Sequence, residues 1–138
     1  MSIHKISAEQ TLPIRHQVLW PDKSIDYCRV DDDCGADHYG AFADERLVCV
    51  ASVFYENKTA RLRKFATLPE YQGLGIGTQV LNTILSDLQQ ESPSVYTTFW
   101  CDARESAQGF YQRFGLQTQG ERFYKSTEPY FKMALILG

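Results

Sequence analysis

The segment from Tyr71 to Thr78 carries residue types that are suited to hold an anion. It contains three alternating glycines, Gly73, Gly75 and Gly77, and an amphipathic pattern begins directly behind it. Glycines let a backbone approach a ligand closely, and the first N–H groups of a helix have no acceptor within the helix. Together with the positive end of the helix dipole, such groups can hold a phosphate or pyrophosphate. The alternative is a glycine-rich turn that only joins two elements.

Two common phosphate-binding motifs do not fit this loop. A dinucleotide fingerprint requires Gly-x-Gly-x-x-Gly. Counted from Gly73, the third glycine position holds Thr78. Counted from Gly75, it holds Val80. A Walker loop requires Gly-Lys-Ser/Thr, and Thr78 follows Gly77 with no lysine between them.

Strands and helices in a mixed order must position the loop. The predicted elements, in chain order, are a helix over 9–20, strands over 39–43, 47–55 and 61–68, a helix over 75–90, a strand over 95–101, a helix over 104–114 and a closing pair of strands over 118–124 and 130–137. Residues 22–37 are expected to form a loop, and Pro93 is expected to end the long helix. This order predicts a single mixed α/β domain, and 138 residues are too few for two.

Composition and charge argue against several functional classes. The chain has a net charge of −3 and 43% hydrophobic residues, so it can bury a core but lacks the basic excess of a nucleic-acid binder. No apolar run approaches the roughly 20 residues of a membrane helix, and the first residues do not resemble a signal peptide. The four cysteines contain no Cys-x-x-Cys pair, so we predict reduced thiols and no metal site. We therefore expect a cytoplasmic protein without nucleic-acid or membrane partners.

The pattern Gln-x-x-Gly-x-Gly from Gln72 to Gly77 resembles the acyl-CoA loop of the GNAT (GCN5-related N-acetyltransferase) superfamily. The resemblance extends to the strand and turn before the loop, 61–71, and to the segment 100–116, which contains Ala107, Tyr111 and Gly115 at the family's spacing. The whole resemblance covers 9–137. It implies the GNAT fold, in which a central, mostly antiparallel sheet splays between its fourth and fifth strands and is flanked by helices.

The resemblance also implies acetyl-CoA as the acyl donor, bound in the gap between the splayed strands. Backbone groups of the fourth strand would hold the pantetheine arm, at Phe65, Ala66 and Thr67. Backbone groups of the loop would hold the pyrophosphate, at Gln72, Gly73, Leu74, Gly75, Ile76, Gly77 and Thr78.

Tyr111 stands where the family commonly has a general acid. A phenol of pKa about 10 can protonate a departing thiolate of pKa about 8.5, since burial and hydrogen bonds adjust both. The alternative is a core aromatic beside Phe110 and Phe114. Arg104 replaces a common asparagine and could contact a CoA carbonyl or phosphate, but it can only donate hydrogen bonds. Phe99 occupies the place of a carboxylate base, so the base stays unassigned; a water chain could serve, or a neutral amine could need none.

The segment 16–38 would wall the acceptor pocket by the same resemblance. Between Asp22 and Asp37 it holds six aspartates against Lys23 and Arg29, a local charge of −4. An acidic rim would favour a cationic amine, whereas charge runs usually form solvated loops. His38 is a further candidate for the base.

The predicted activity is N-acetyl transfer from acetyl-CoA to a primary amine, expected to be a small molecule, by direct attack in a ternary complex. The alternative is a catalytically idle acyl-CoA-binding sensor or interaction module of the same fold. The protein is expected to be a monomer or a homodimer, because small domains of this kind often pair through edge strands.

Overall fold

The computed structural model describes residues 1–90 and 95–137. Its strands and α-helices, in chain order, are β1 (Ser2–Ile6), α1 (Ala8–Ile14), β2 (Asp37–Ala43), β3 (Arg46–Glu56), β4 (Thr59–Thr67), α2 (Ile76–Gln90), β5 (Thr98–Arg104), α3 (Gln108–Gln112), β6 (Gln117–Lys125) and β7 (Glu128–Ile136). The seven strands form one sheet in the order β1-β2-β3-β4-β5-β7-β6. Neighbours are antiparallel except for the parallel pair β4 and β5. The predicted mixed α/β fold is confirmed.

The sequence prediction missed β1 and misplaced several boundaries. β1 is an edge strand in which only Ile3 and Ile6 are partly buried, so it lacks the apolar alternation of the other strands. The helix predicted over 9–20 is α1 followed by a π-helical turn at Arg15–Leu19. The helix predicted over 104–114 is α3 preceded by a 3₁₀ turn at Glu105–Ala107. The predicted stop at Pro93 lies outside the described residues.

The two faces of the sheet carry different helices. His38 of β2 lies directly opposite Ser52 of β3, and Ser52 accepts a hydrogen bond of 3.0 Å from Arg15, just after α1. The next residue, Tyr39, points the other way and donates a hydrogen bond of 2.9 Å to Asp87 of α2. We call these the α1 face and the α2 face. In the described ranges, no helix is long and apolar enough to cross a membrane.

The long helix α2 docks on the sheet through the stripe that its sequence predicts. All six apolar residues at the predicted positions are buried, namely Ile76, Val80, Leu81, Ile84, Leu85 and Leu88. They join one core cluster with buried strand residues such as Val53, Leu62 and Phe99. Burying an aliphatic side chain contributes about 1.5 to 3 kcal/mol, so this stripe holds α2 firmly against the sheet.

The parallel strands β4 and β5 separate after three residue pairs, the last of which is Arg61 opposite Trp100. Beyond that pair, β4 contains a bulge. Its pairing with β3 shifts between Arg63 and Ala66, and Lys64 has a φ of 56°. An extra residue of this kind bends a strand and increases its twist. The expected splay between the fourth and fifth strands is confirmed.

Candidate functional site

The glycine loop connects β4 to α2 by way of a 3₁₀ turn at Pro69–Tyr71. Gly73 and Gly75 have φ values of 77° and 80°, a region that side chains other than glycine rarely adopt. The first backbone bond of α2 runs from the Gln79 N–H to the Gly75 carbonyl, at 3.2 Å. The earlier N–H groups of the helix, at 76–78, therefore have no acceptor within it and remain available for an anion.

Gln72 braces this loop against the end of β4. Its side-chain Nε2 donates to the Thr67 carbonyl at 3.0 Å, and its backbone N–H donates to the Pro69 carbonyl at 3.2 Å. The resemblance counts the backbone N–H of Gln72 among the groups that hold the pyrophosphate, but this N–H is already bonded to the Pro69 carbonyl. Its side chain instead holds the shape of the turn from which the free amides project.

Glycine is needed at the three positions of the loop for different physical reasons. A Cβ at Gly73 or Gly75 would meet nothing within 4 Å, so these residues are needed for their backbone angles. A Cβ at Gly77 would lie 3.3 Å from Cζ of Phe65. Gly77 therefore lets the first turn of α2 pack closely on the strand that lines the gap. Exposed Leu74 lies between the first two glycines, with 65% of its surface accessible.

Tyr111 lies on α3 and reaches across to β5. It packs partly buried against the core, as the aromatic alternative expects, and its hydroxyl also hydrogen-bonds to the Cys101 sulfur. Burial and the neighbouring Cys101 raise the pKa of Tyr111 above its usual range, so the phenol stays protonated at neutral pH. Burial also raises the pKa of Cys101 to about 12, which keeps it a thiol rather than a nucleophile.

Some of the other residues expected in the donor site lie at the gap, and others lie outside it. Phe65 packs toward α3, with its ring centroid 6.2 Å from that of Phe110. Ala66 is buried within β4, where only its backbone can act. Arg104, at the end of β5, has an exposed side chain. Phe99 is fully buried on the α2 face and brings no acid or base to the gap.

The α1 face carries a separate cavity of about 310 Å³ beside the start of the gap. Arg61, Arg63 and Trp100 line it because all three alternate to this face of β4 and β5, and Phe54 of β3 lies opposite Arg61. The Arg61 guanidinium stacks 4.4 Å above the Trp100 ring and donates to Asp102 at 2.9 Å. The glycine loop and Tyr111 thus approach the gap from the α2 face, and this cavity approaches it from the α1 face.

Several aspartates of the expected acidic rim are bound in ion pairs rather than presented to this cavity. Asp33 accepts two hydrogen bonds from Arg15, at 2.8 and 3.0 Å. Asp26 pairs with Arg29 at 3.1 Å, and Asp37 accepts from Tyr55 at 2.6 Å. Asp33 and Asp37 are thus engaged within the fold, whereas the Asp26 pair lies exposed at the surface. Of the predicted rim, exposed Asp32 lines the cavity.

His38 belongs to the same structural network and is not arranged as a base. Only 4% of its surface is accessible. Its Nε2 lies 2.9 Å from the Asp33 carbonyl, which can only accept, so Nε2 carries the proton. Its Nδ1 lies 2.7 Å from the Ser52 hydroxyl. Both ring nitrogens are therefore engaged inside the protein.

Arg15 is the centre of this network and was not predicted from the sequence. It is fully buried and donates to the Cys28 carbonyl at 3.1 Å, in addition to Asp33 and Ser52. These bonds fasten the segment that follows α1 to the sheet and so form one wall of the cavity. The sequence did contain one indication of this role: Arg15 follows apolar Ile14 in an amphipathic helix, and a cation buried there needs an anionic or hydrogen-bonding partner.

The charge of Asp33 makes the stability of the fold depend on pH. Burial alone would raise the pKa of Asp33, but hydrogen bonds from Arg15 and the Val30 amide hold it below its usual value of 3.8. A lowered native pKa stabilises the fold above the unfolded-state pKa, and this contribution is lost as pH falls through the native pKa. We expect the free energy of unfolding, measured with urea at stepwise pH, to fall below about pH 4. An Asp33→Asn variant that kept the full dependence would contradict this assignment.

The cysteines lie where small apolar residues could stand. Cys49 and Cys101 are buried in strands, as predicted, and Cys28 is buried in a 3₁₀ turn. Cys34 is exposed beside the cavity, and all four are free thiols. Within 1–90 and 95–137, no three His, Cys, Asp or Glu side chains are grouped as a metal site requires.

Comparisons with known proteins agree with this arrangement. The family model described as acetyltransferase (GNAT) domain matches residues 24–137. YitI, an uncharacterized N-acetyltransferase of Bacillus subtilis (strain 168), is 32% identical over 132 residues, which cover 89% of this chain and 87% of YitI.

Solved structures share the fold at low sequence identity. The ribosomal-protein-S18-alanine N-acetyltransferase from Escherichia coli superimposes with a TM-score of 0.80 at 18% identity, over 99% of this chain and 93% of that one. A GNAT family acetyltransferase from Elizabethkingia anophelis, with acetyl-CoA bound, gives 0.74 at 16% identity over 99% and 97%. The splayed strands, the glycine loop and the family match lead to one conclusion: the chain belongs to the GNAT family of acetyltransferases.

Proposed function

We propose that this protein transfers the acetyl group of acetyl-CoA to a primary amine on a small molecule. The observation that carries the proposal is the gap that opens beyond the Arg61–Trp100 pair. The glycine loop and Tyr111 border it from the α2 face, and a cavity of about 310 Å³ borders it from the α1 face. A thioester and an amine could therefore meet in the gap from opposite sides of the sheet.

In this proposal the donor is held mainly by backbone groups. The amides at 73–78 hold the pyrophosphate, helped by the dipole of the 15-residue helix α2. The β4 backbone at Phe65, Ala66 and Thr67 lies along the pantetheine arm. Arg104 is exposed at the end of β5, where its guanidinium can reach a CoA phosphate. Positioning of this kind lowers the entropy cost of bringing two substrates together.

The chemical step is direct attack in a ternary complex. The neutral amine forms a bond to the thioester carbon, the carbon–sulfur bond breaks, and Tyr111 gives its proton to the departing thiolate. A β4 amide polarises the carbonyl oxygen. The proton released from the amine passes to water, since Phe99 has no basic group and both nitrogens of His38 are engaged, and Tyr111 takes a proton back from water before the next turnover.

Thiol release from acetyl-CoA across a panel of primary amines tests the proposal. We expect amine-dependent release, with initial-rate lines that intersect when both substrates are varied, as a ternary complex requires. Parallel lines would contradict direct attack. Tight CoA binding without turnover of any amine would refute the proposed reaction and favour the idle acyl-CoA-binding module.

Replacing Gly75 by alanine is expected to weaken acetyl-CoA binding about tenfold or more, because the loop amides depend on a backbone angle that alanine disfavours. Calorimetric titration with acetyl-CoA measures the change. Gly120→Ala is the matched control, since Gly120 in β6 has a φ of 78° and also has nothing within 4 Å of an added Cβ. Both variants carry similar strain, so equal affinity in the two would show that the loop does not hold the donor.

A further inference from the structure

The α1-face cavity is surrounded by more positive charge than its carboxylates neutralise. Arg61 pairs with Asp102 at 2.9 Å, and Lys125 of β6 approaches the same carboxylate at 3.4 Å. One carboxylate is thus shared between two cations. The Arg61 Nε is buried without a hydrogen-bond partner, so its donor capacity is not fully used.

Arg63 adds a second guanidinium without a counter-ion. Among the ion pairs of residues 1–90 and 95–137, none includes Arg63. Its guanidinium carbon lies 5.1 Å from the centre of the Phe54 ring. Burial and the charge of Arg61 lower the pKa of Arg63, and the nearby carboxylates of Asp32 and Asp33 offset only part of this shift.

Lys64, at the bulge of β4, adds positive charge next to Arg63 but is not among the residues that line the cavity. Its Nζ lies 4.5 Å from the centre of the Trp20 ring, and no ion pair within the described ranges includes it. Burial and the charges of Arg63 and Lys125 lower its pKa to about 8. The main charges that act on Lys64 are all positive, Arg15 and Arg61 being the others.

The carboxylates near the cavity do not cancel these charges. Asp32 and Glu56 line the cavity but are exposed, where water screens them. Asp33 is taken up by Arg15. The charge of the lining therefore differs with exposure, since the exposed lining residues Asp32 and Glu56 are negative and the partly buried Arg61 and Arg63 are positive, with Arg63 outside any ion pair of the described residues.

We propose that this cavity binds an acceptor that carries an anionic group, a carboxylate or a phosphate, in addition to the amine, with Arg63 as its main contact. Guanidinium forks match the geometry of both groups. A volume of about 310 Å³ suits one small molecule, and Trp100 and Phe54 offer apolar walls to its body. The inference rests on the proposed function and is the opposite of the cationic acceptor that an acidic rim would favour.

The test compares amines that differ in the charge of one group. Acetyl transfer is measured for amino acids with apolar side chains and for the amides of the same amino acids, and for phosphoethanolamine against ethanolamine. We expect kcat/KM to be at least about tenfold higher for the anionic member of the preferred pair, the size of one charge-assisted hydrogen bond. The preferred pair identifies the anion as a carboxylate or a phosphate.

Variants test which residue causes the preference for anionic amines. Arg63→Gln is expected to bring the ratio between anionic and neutral amines toward one, while the KM for acetyl-CoA stays unchanged. Lys5→Gln is the matched control and should keep the ratio, because Lys5 lies on β1, three strands away from β4. Melting curves of all variants verify that they fold.

Two results would overturn the inference while acetyl transfer stands: equal rates for anionic and neutral amines, or an unchanged ratio in Arg63→Gln. If no amine is acetylated, calorimetric titration of CoA-saturated protein with the same amino acids and with phosphoethanolamine tests the anion site directly. Binding that Arg63→Gln abolishes upholds the anion site and refutes only the proposed reaction. Absence of binding refutes the anion site.

Discussion

Tyr111→Phe is expected to lower kcat for acetyl transfer by a factor of about 100 to 10,000, the usual contribution of a general acid. The thiolate then leaves without a positioned proton donor. Affinity for acetyl-CoA should change little, because in the proposed complex backbone groups hold the donor. Single-turnover kinetics with saturating acetyl-CoA measure the chemical step apart from product release.

Tyr124→Phe is the matched control, because Tyr124 in β6 is 61% exposed and removal of its hydroxyl should leave kcat unchanged. The phenol of Tyr111 also hydrogen-bonds to Cys101, and losing that bond costs about 1 kcal/mol of stability at most. A melting curve therefore distinguishes a catalytic defect from unfolding. Wild-type kcat in Tyr111→Phe would assign this residue to the core alone.

Asp33→Asn is expected to lower the free energy of unfolding by about 3 to 5 kcal/mol, because it leaves Arg15 buried without its counter-charge. The Arg15 side chain has no accessible surface, and that of Asp33 is 12% accessible. The neutral amide keeps the size of the side chain but can accept only at one atom, and its NH₂ group would face a guanidinium. Urea unfolding at pH 7 measures the loss.

Asp31→Asn provides the comparison for this variant, since Asp31 is exposed in the same segment. Surface substitutions of this kind change stability by about 0.5 kcal/mol or less. If the two variants were equally stable, the Arg15 network would not hold the wall of the cavity. Replacing Arg15 and Asp33 together by leucine and asparagine should recover part of the loss, because the buried charge is then removed.

The parts of the fold that follow from local pattern could be predicted from the sequence. The stripe of α2 is fixed by helical periodicity, and strands such as β3 are apolar along most of their length. β1 escaped prediction because an edge strand buries little and so carries no alternation. α1 ends in a π-helical turn that begins at Arg15, two residues after Pro13, whose ring disfavours the interior of an α-helix.

The candidate site likewise contains residues that local sequence patterns predict and residues that only the tertiary structure brings together. The glycine loop and the spacing of Tyr111 are local signals that the sequence shows without knowledge of the fold. The partners of Arg15 lie 13, 18 and 37 positions along the chain, so only the folded sheet brings them together. The acidic run suggested a cationic acceptor, but Asp33 is paired with Arg15, Asp37 accepts a hydrogen bond from Tyr55, and Asp32 is the aspartate of the run that lines the cavity.

The single extra residue at the bulge of β4 changes the parity of that strand. Odd-numbered Arg61 and Arg63 point to the α1 face, whereas odd-numbered Phe65, after the bulge, packs toward Gly77 on the α2 face. One strand can thus serve two surfaces of opposite chemistry, cationic before the bulge and apolar after it. Deletion of Lys64 would restore simple alternation with Phe65 still on the α2 face, because two residues of β4 now stand opposite Ala51 alone. The deletion would instead remove the bend of β4 where it leaves β5, so we expect it to change the gap rather than to exchange the two surfaces.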